Sequence, residues 1–501
     1  MKTSKEIQKK DEINNKKIAV YFNMASISPA IELHTAMIKD LLSRNNKITV
    51  YICDRSFKSP MDNPFNRKSI DNFRMFRIKD AIKDLKVDVK TINLNNTNIE
   101  IPENKLEVLE TGVMSSFASM FKAQEKEQLS PKWIKAYDNM LLSARKLYNY
   151  FSNEIKKENY DFVFMFNGRF GDVRPVLEAT RDSYSGYGLY EMKKSIHEIV
   201  FVNELVHSIE GNSRRAFEAY ESNKAQAEID AKKFFEKKSE NKETGDPIYT
   251  KNQTQGSLPE GIEGTDKKII AIYPTTDDEY KFIGKEWDGI VPEDQVNEIA
   301  ELASSLPSEK YILVVKMHPN QANTAEDTVK RYLDLAKKFD HVIVEPPLSE
   351  KDTYALMNRA DVIVTFASTI GVEACYARKP VVIIGDTNWS KMNVAYSTYS
   401  GAEAAKLIET GIEPKPILGA IIWGSYSLTY KDKLPEFETA DRGNFYVSGR
   451  RIGKSSLLRI LQLPAKLEIS MSKPGFKMDI YFFMRVISTI GNIIKGKWAA
   501  K

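Results

Sequence analysis

Val314-Val315-Lys316-Met317-His318-Pro319-Asn320 and Thr365-Phe366-Ala367-Ser368-Thr369-Ile370-Gly371-Val372-Glu373-Ala374 are the two stretches whose reading decides the fold. Each begins as an apolar, β-branched run and breaks into a polar turn. The first turn offers an imidazole beside a proline, whose ring locks φ. The second offers two hydroxyls at the start of a helix. Turns of this kind belong at the carboxyl ends of parallel strands, where open α/β sheets bind ligands. A histidine, hydroxyls and backbone N–H groups converging there suit a diphosphate or a phosphodiester, which points to an activated nucleotide.

Outward from these turns, strands alternate with helices. Strands are expected at Lys268–Tyr273, Tyr311–Met317, His341–Val344, Asp361–Thr365 and Pro380–Ile384. Helices are expected at Asp294–Leu306, Thr324–Phe339, Ser349–Arg359 and Gly371–Ala377, the third opened by a capping-box-like Ser349 and Asp352. This alternation predicts a parallel sheet covered on both faces. Upstream, the strand Lys17–Phe22, the helix Pro29–Ser43 and the strand Lys47–Cys53 form a β-α-β opening. Arg55 to Ser130 has weak periodicity and reads as an insertion of loops and short helices. Pro131–Lys157 reads as a long helix and Tyr160–Phe166 as a buried strand ending in Asn167-Gly168-Arg169. Leu189–Met192 and Glu198–Val202 read as short strands, and Ser213–Lys238 as a charged helix. Ser239 to Asp266, rich in Gly, Pro, Asn, Thr and Gln, reads as a linker.

The expected fold class is therefore α/β, with two Rossmann-like domains facing a central cleft. The expected boundaries are a disordered lead over 1–16, a first domain with its insertion over 17–240, a linker over 241–266, a second domain over 267–425 and a basic helical tail over 426–501. A cleft between such domains is a natural meeting place for two substrates.

A chain of 501 residues is long enough for this layout, and 42% hydrophobic with 28% charged residues is ordinary for a soluble globular protein. The two cysteines, Cys53 and Cys375, lie far apart and form no metal or redox spacing, which fits a reducing cytoplasm. No apolar run approaches the roughly 20 residues that span a bilayer, and Met1 to Lys17 is too polar for a signal peptide. The net charge of +5 is uneven: Asp441 to Lys501 holds 12 Lys/Arg against 3 Asp/Glu, a balance of +9. A basic tail on a nearly neutral body calls for a polyanionic surface, or is simply a solvated basic helix. Within it, Phe483, Val486, Ile487, Ile490 and Ile494 recur at helical spacing near Arg485, Lys495, Lys497 and Trp498. Such a stripe needs an apolar partner, either the first domain or a membrane surface.

Candidate roles follow from position. His318 can donate to a phosphate oxygen, and Lys316 can add a cation or merely cap the strand edge. Ser368 and Thr369 can bind phosphate while capping the helix that follows, since both tasks use free first-turn N–H groups. Gly371 would allow close approach of a ligand, and Glu373 could accept bonds from ribose hydroxyls or simply offset the helix dipole. Glu345, before Pro346 and Pro347, could form a rigid wall for a nucleobase, and Thr275 to Glu279 would face the same cleft. In the first domain Asp172, Glu191 and His207 are candidates to orient an acceptor hydroxyl and take its proton, with Glu191 favoured. Gly453-Lys454-Ser455-Ser456 only mimics the end of a P-loop, because Ser448 stands where the first glycine is required.

On these residues the stretch from Lys268 to Asp386 resembles the nucleotide-binding half of GT-B fold glycosyltransferases, in particular bacterial capsule and surface-polysaccharide biosynthesis proteins. The resemblance rests on the Thr275–Tyr280 turn, His318-Pro319, the Tyr354–Val364 unit, and Ser368-Thr369 with Glu373. Asn167-Gly168-Arg169, Glu191 and His207 look like the acceptor-side pattern of the same group. It implies an inverting transfer of a sugar from a nucleotide sugar. The first domain would hold the acceptor and the second the donor, with His318, Ser368 and Thr369 on the donor phosphate. It also implies no bound metal and no cofactor, the nucleotide sugar being a substrate. The acidic-acidic-glycine base motif of some bacterial sialyltransferases with a His-Pro turn is missing here.

The expected partners are a nucleotide sugar, a glycan or lipid-linked acceptor, and an anionic membrane surface met by the tail; nucleic acid is not among them. The expected location is cytoplasmic, peripheral at the inner face of the cytoplasmic membrane. Two other readings compete. A non-hydrolysing nucleotide-sugar 2-epimerase shares the fold but has no acceptor site. A non-catalytic envelope-assembly partner would keep only a vestigial nucleotide pocket.

Overall fold

The structure is a computed structural model that describes residues 8–121, 125–193, 197–240, 242, 244, 250, 252–276, 282–284, 292–324, 326–441 and 444–473. The chain divides into two compact units, one formed by Met1–Val206 with Lys431–Lys501, the other by His207–Tyr430.

The first unit runs β1 (Lys17–Phe22), α1 (Ala30–Leu42), β2 (Lys47–Cys53), α2 (Lys68–Ile82), β3 (Asp88–Ile92), α3 (Glu103–Phe121), α4 (Pro131–Glu158), β4 (Phe162–Phe166), α5 (Arg174–Asp182), β5 (Gly186–Lys193) and β6 (His197–Val202). Its sheet has the order β3-β2-β1-β4-β5-β6. All neighbours are parallel except β5 and β6, which are antiparallel. Every residue of β4 is buried, as is β1 beyond Lys17, because helices cover both faces of a parallel sheet.

The second unit opens with α6 (Ile209–Ser222) and α7 (Lys224–Ser239). It continues with β7 (Lys268–Tyr273), α8 (Gln295–Ser305), β8 (Tyr311–Lys316), α9 (Glu326–Lys338), β9 (Val342–Glu345), α10 (Thr353–Arg359) and β10 (Val362–Thr365). It closes with α11 (Ile370–Tyr376), β11 (Val381–Ile384), β12 (Tyr396–Thr398), α12 (Gly401–Glu409) and α13 (Leu418–Thr429). The sheet order is β12-β11-β10-β7-β8-β9, and every pairing is parallel. Strand alternation builds two cores. Ile269, Ala271, Val314, Ile363 and Ile383 pack with Phe234, Val372 and Trp423 on one face. Ile270, Ile272, Leu313, Val364 and Ile384 pack with Ile299, Leu335 and Ala404 on the other. Both units are doubly wound α/β sheets of the expected class, and both follow the dinucleotide-fold order 3-2-1-4-5-6.

Several local expectations are corrected. The supposed insertion contains α2, β3 and α3 and extends the sheet by an edge strand. Its signal was weak because α2 packs Asp71, Arg74 and Arg77 inward beside Ile70 and Phe73, and because β3 buries only Ile92. The charged helix Ser213–Lys238 is two helices broken at Asn223, whose side chain accepts from the Gln226 N–H and starts the second. Both belong to the second unit, not the first domain, and Phe234 and Phe235 of α7 join its core with Trp423 of α13.

The segment read as a linker is, where described, part of the second unit. Gly256 N–H donates to Asp352, Thr254 N–H to the Glu350 carbonyl, and Ile262 is fully buried. A polar, Gly-rich composition serves a hydrogen-bonded loop as well as a free linker. Asp352 also caps α10 through the Tyr354 and Ala355 N–H groups, so that helix starts at Thr353 rather than near Ser349.

The expected helical tail from residue 426 is also revised. α13 ends in the second unit, and the chain then returns to the first through a hairpin, β13 (Phe437–Asp441) with β14 (Asn444–Val447), then α14 (Ser456–Leu461) and α15 (Leu463–Met471). Asp432 pairs with β6, accepting from Val200 N–H at 2.8 Å. Arg450 and the Gly453 N–H both reach Asp80, and Trp133 donates to the Ser472 carbonyl at 2.7 Å. The Gly453–Ser456 stretch is a turn whose Ser455 caps α14. The stripe over Ile480–Trp498 lies outside the described residues. Among the described residues no helix is long and apolar enough to cross a membrane.

Candidate functional site

In the second unit the chain leaves β7 toward β8 and β9 on one side and β10, β11 and β12 on the other. The carboxyl ends of β7 and β10 are therefore the topological switch point, the usual ligand edge of such sheets. Thr365 ties the two ends together: its hydroxyl donates to the Tyr273 carbonyl at 3.1 Å and accepts from Ser368 N–H at 3.2 Å. Ala367, between them, takes φ +152°, a conformation L-residues rarely adopt. Strain of this kind persists only where the surroundings over-determine it, and it concentrates at functional sites. After β7, Thr275 and Thr276 are buried, and Thr275 exchanges two hydrogen bonds with the Gln295 side-chain amide. Asp277, Asp278 and Glu279 lie outside the described residues.

Thr369 heads α11 but does not cap it with its hydroxyl. That hydroxyl lies 3.4 Å from Glu373 Oε1, while Glu373 Oε2 accepts from the Tyr354 hydroxyl at 2.6 Å. Lys238 Nζ stands 3.9 Å from Oε1. Glu373 is thus a buried carboxylate in a built network, and Tyr354 and Lys238 are members of it that sequence reasoning missed. Neither carried a signal: Tyr354 reads as an apolar helix position and Lys238 as one charge among many. Gly371 differs from expectation. A Cβ there would meet Trp389 Cη2 at 2.8 Å, so this glycine seats α11 against Trp389 rather than opening space for a ligand.

His318 follows β8 and begins a short 3-10 turn over Pro319–Asn323. Its Nδ1 accepts from the Asn320 N–H at 3.2 Å, and its own N–H donates to the Gln321 side chain at 2.9 Å. An Nδ1 that accepts leaves the proton of a neutral ring on Nε2, which makes Nε2 a donor. Lys316 is buried rather than presented to solvent. It donates to the Ser349 carbonyl at 3.2 Å, and burial holds its ammonium down to about 8. The Ser349 hydroxyl in turn donates to Glu345. These three residues lock the ends of β8 and β9 together.

In the first unit the switch point lies between β1 and β4. Asn23, just after β1, is 1% exposed, and neither polar atom of its side chain has a hydrogen-bond partner among the described residues. Its carbonyl accepts from His34 Nε2 at 2.9 Å, and His34 Nδ1 then accepts from the Tyr190 hydroxyl at 2.5 Å. Burial pushes His34 down to about 4, so it is a neutral core histidine. Asn167, just after β4, takes φ +63° and donates its side-chain amide to Glu191 on β5. Glu191 is half-buried, and loss of solvent raises its pKa against the pull of Asn167 and Arg169. Asp172 is buried beside Asp62 and Arg74. Burial, with the Asp62 charge adding, pushes its carboxyl up to about 7. Arg74 lies 3.3 Å from both Asp62 and Asp71. His207 is the first residue of the second unit, whereas Asp172 and Glu191 belong to the first.

Residues 290–413, which hold His318, Glu345, Ser368, Thr369 and Glu373, match the family model described as UDP-N-acetylglucosamine 2-epimerase. No curated protein matches the chain. Among solved structures it is similar to a putative UDP-N-acetylglucosamine 2-epimerase from Listeria monocytogenes, at 12% identity over 82% of this chain and 94% of that one, with a TM-score of 0.26. It is also similar to Thermosulfurimonas dismutans KpsC, a beta Kdo 2,4 transferase, at 17% identity over 54% and 80%, with a TM-score of 0.36. A third is the S. aureus MnaA–UDP co-structure, at 14% identity over 92% and 100%, with a TM-score of 0.25.

Proposed function

We propose that this protein is a glycosyltransferase that moves a sugar from a nucleotide sugar to a glycan or lipid-linked acceptor in capsule or surface-polysaccharide biosynthesis. The observation that carries the reading is the pair of switch-point edges with different chemistry. The second unit offers hydrogen-bond donors, His318 with Ser368 and Thr369, suited to a diphosphate. The first offers two carboxyl groups, Asp172 and Glu191, whose hold on a proton is strengthened by burial, as a general base requires.

In this reading the donor diphosphate takes hydrogen bonds from His318 Nε2 and the two hydroxyls, and Glu373 accepts from ribose hydroxyls. The Glu345–Ser349–Lys316 chain holds the base-side wall. Glu191, the more exposed of the two carboxyls, accepts the proton of the acceptor hydroxyl. The acceptor oxygen forms the new bond to the anomeric carbon as the bond to the phosphate oxygen breaks. The nucleoside diphosphate departs with its charge offset by the same donors, without need of a metal. The basic tail keeps the protein at the inner face of the cytoplasmic membrane, near its acceptor.

A second reading, a 2-epimerase, is favoured by the family match over residues 290–413. One experiment separates them. The protein is incubated with a panel of nucleotide sugars, alone and with glycan or lipid-linked acceptors. A rise in melting temperature identifies the donor by mass action. Sugar transfer that requires an acceptor supports the main reading; conversion of UDP-N-acetylglucosamine to its 2-epimer without an acceptor overturns it. Absence of both, and of any melting shift, would leave the assembly-partner reading.

A further inference from the structure

In sheets of this strand order the turn between the first strand and its helix commonly holds a phosphate, on the free N–H groups at the helix start. In the first unit the protein's own carboxylates take that place. The Ser26 N–H donates to Asp62 at 3.0 Å. Glu32, in the first turn of α1, is buried and accepts from the Ser28 hydroxyl at 2.9 Å. The cations beside the turn are committed to these acids: Arg74 lies 3.3 Å from Asp62, and Arg77 2.5 Å from Glu32. The β1–α1 turn is therefore built against an anion.

What it offers instead is unmatched hydrogen-bonding capacity. Both polar atoms of the Asn23 carboxamide, Asp62 Oδ1 and Asp172 Oδ1 are buried without a hydrogen-bond partner among the described residues. They share a neighbourhood. Phe22 stacks on His34 of α1 at 4.6 Å, so alternation along β1 sends Tyr21 and then Asn23 to the other face, where Tyr21 meets Phe151 of α4. Burial makes the Tyr21 hydroxyl a far weaker acid, and the Cys53 thiol with the Asp172 and Asp62 carboxylates around it adds to the effect. Register extends this neighbourhood to Glu191. Tyr21 pairs with Met165 and Phe166 with Tyr190, so Asn23, Asn167 and Glu191 follow at one level on three adjacent strands. His34 Nε2, 2.9 Å from the Asn23 carbonyl, pins the main chain there.

A buried polar group without a partner costs stability, so this set calls for a ligand that completes it. Three oxygens need donors and one amide nitrogen needs an acceptor. A cation only donates and a phosphate dianion only accepts, whereas a hydroxyl does both. We infer that the carboxyl edge of β1 is a subsite for a neutral, hydroxyl-rich sugar ring, and that Asn23 is its specificity-determining residue, Oδ1 accepting from one ring hydroxyl and Nδ2 donating to another. The inference rests on the transferase reading in one respect: the ring is the acceptor's, and the hydroxyl it presents to Glu191 is the one that reacts.

The test is saturation-transfer NMR on the full chain without nucleotide, using a panel of neutral hexoses, pentoses and N-acetylhexosamines. At least one should give a signal on the wild type. Asn23→Leu, similar in size but without polar atoms, should weaken that binding by about tenfold or more. Asn23→Asp, which keeps the shape and loses the donor, should weaken it as well, and it decides the matter if the leucine variant does not fold. Both variants should keep the melting shift given by the nucleotide sugar. No signal from any neutral sugar on the wild type overturns the inference. So does an unchanged signal in the variants, the result expected if a buried water is the only partner of Asn23. The readout needs neither donor nor turnover. Loss of sugar binding in the variants, with no transfer from any donor, keeps the inference and overturns the transferase reading; transfer with unchanged sugar binding does the reverse.

Discussion

The Tyr354 hydroxyl donates a 2.6 Å hydrogen bond to Glu373 Oε2, joining the first turn of α10 to the first turn of α11 at the ligand edge of the second sheet. Burial, with the Glu373 carboxylate beside it, makes the Tyr354 hydroxyl a much weaker acid than usual, so it remains a donor at any physiological pH. Tyr354→Phe leaves a buried carboxylate oxygen without this partner. A stability loss of about 1.5–3 kcal/mol is expected by urea denaturation. Affinity for the nucleotide sugar, measured by calorimetry, should fall with it, because Glu373 loses its fixed orientation.

His318→Ala should lower turnover by about a hundredfold or more, as loss of one well-placed donor to a developing charge commonly does. The ring also caps a short turn, so melting should shift by no more than a cap's worth, about 1 kcal/mol. Steady-state kinetics on the donor identified by the panel checks it. Wild-type turnover in this variant would remove His318 from the donor site.

Asp172 carries a pH signature. Burial holds its carboxyl up to about 7, above the ordinary carboxylate range, so the folded state binds the proton more tightly than the unfolded one. Its contribution to stability is complete below about pH 4 and is lost as pH rises through about 7. Asp172→Asn should remove that slope and make the variant relatively more stable above pH 7, by up to a few kcal/mol. Melting temperatures from pH 4 to 8 test this. An unchanged slope would mean that the proton is held elsewhere, with Asp62 the nearest alternative.

Gly371→Ala drives a methyl group into Trp389 at 2.8 Å, and Thr365 at 3.1 Å blocks the other side. Overpacking of this kind costs about 1–3 kcal/mol. Adding Trp389→Phe should recover part of the loss, because it removes the indole atom nearest the new methyl. Denaturation of both singles and the double gives the coupling, and strict additivity would show that Trp389 is not the obstacle.

Mutating the acceptor base should reduce transfer yet leave donor binding intact. Glu191→Gln is the first variant to make, since Glu191 is half-buried whereas Asp172 is enclosed. Full transfer activity in both single variants would move the base out of the first unit's strand ends.

Much of the second unit was legible because its strands are short, apolar runs separated by well-capped helices. Lys268–Tyr273, Asp361–Thr365 and Pro380–Ile384 agree with the observed strands to within a residue at each end. His318 and the Ser368-Thr369 pair were legible for the same reason: a polar turn after a buried strand stands out. What escaped were residues whose surroundings come from distant chain. Arg74 and Arg77 of α2 are buried against Asp62 and Glu32, so the helix has charge where periodicity looks for apolar side chains. The segment before β7 looks like a tether because its hydrogen bonds run to Glu350, Asp352 and Thr353, roughly a hundred residues away.

The sequence alone determined the class of fold, since hydrophobic periodicity is a local property that dictates which face of each strand and helix must be buried. It also placed polar turns directly after the buried strands. The tertiary structure alone decided the partners. It gave Glu373 to Tyr354 and Lys238, turned Lys316 inward to Ser349, set Gly371 against Trp389, and brought residues 431–473 back onto the first unit. Each of these depends on which distant side chain fills a given space or satisfies a given polar group, and no local pattern encodes that.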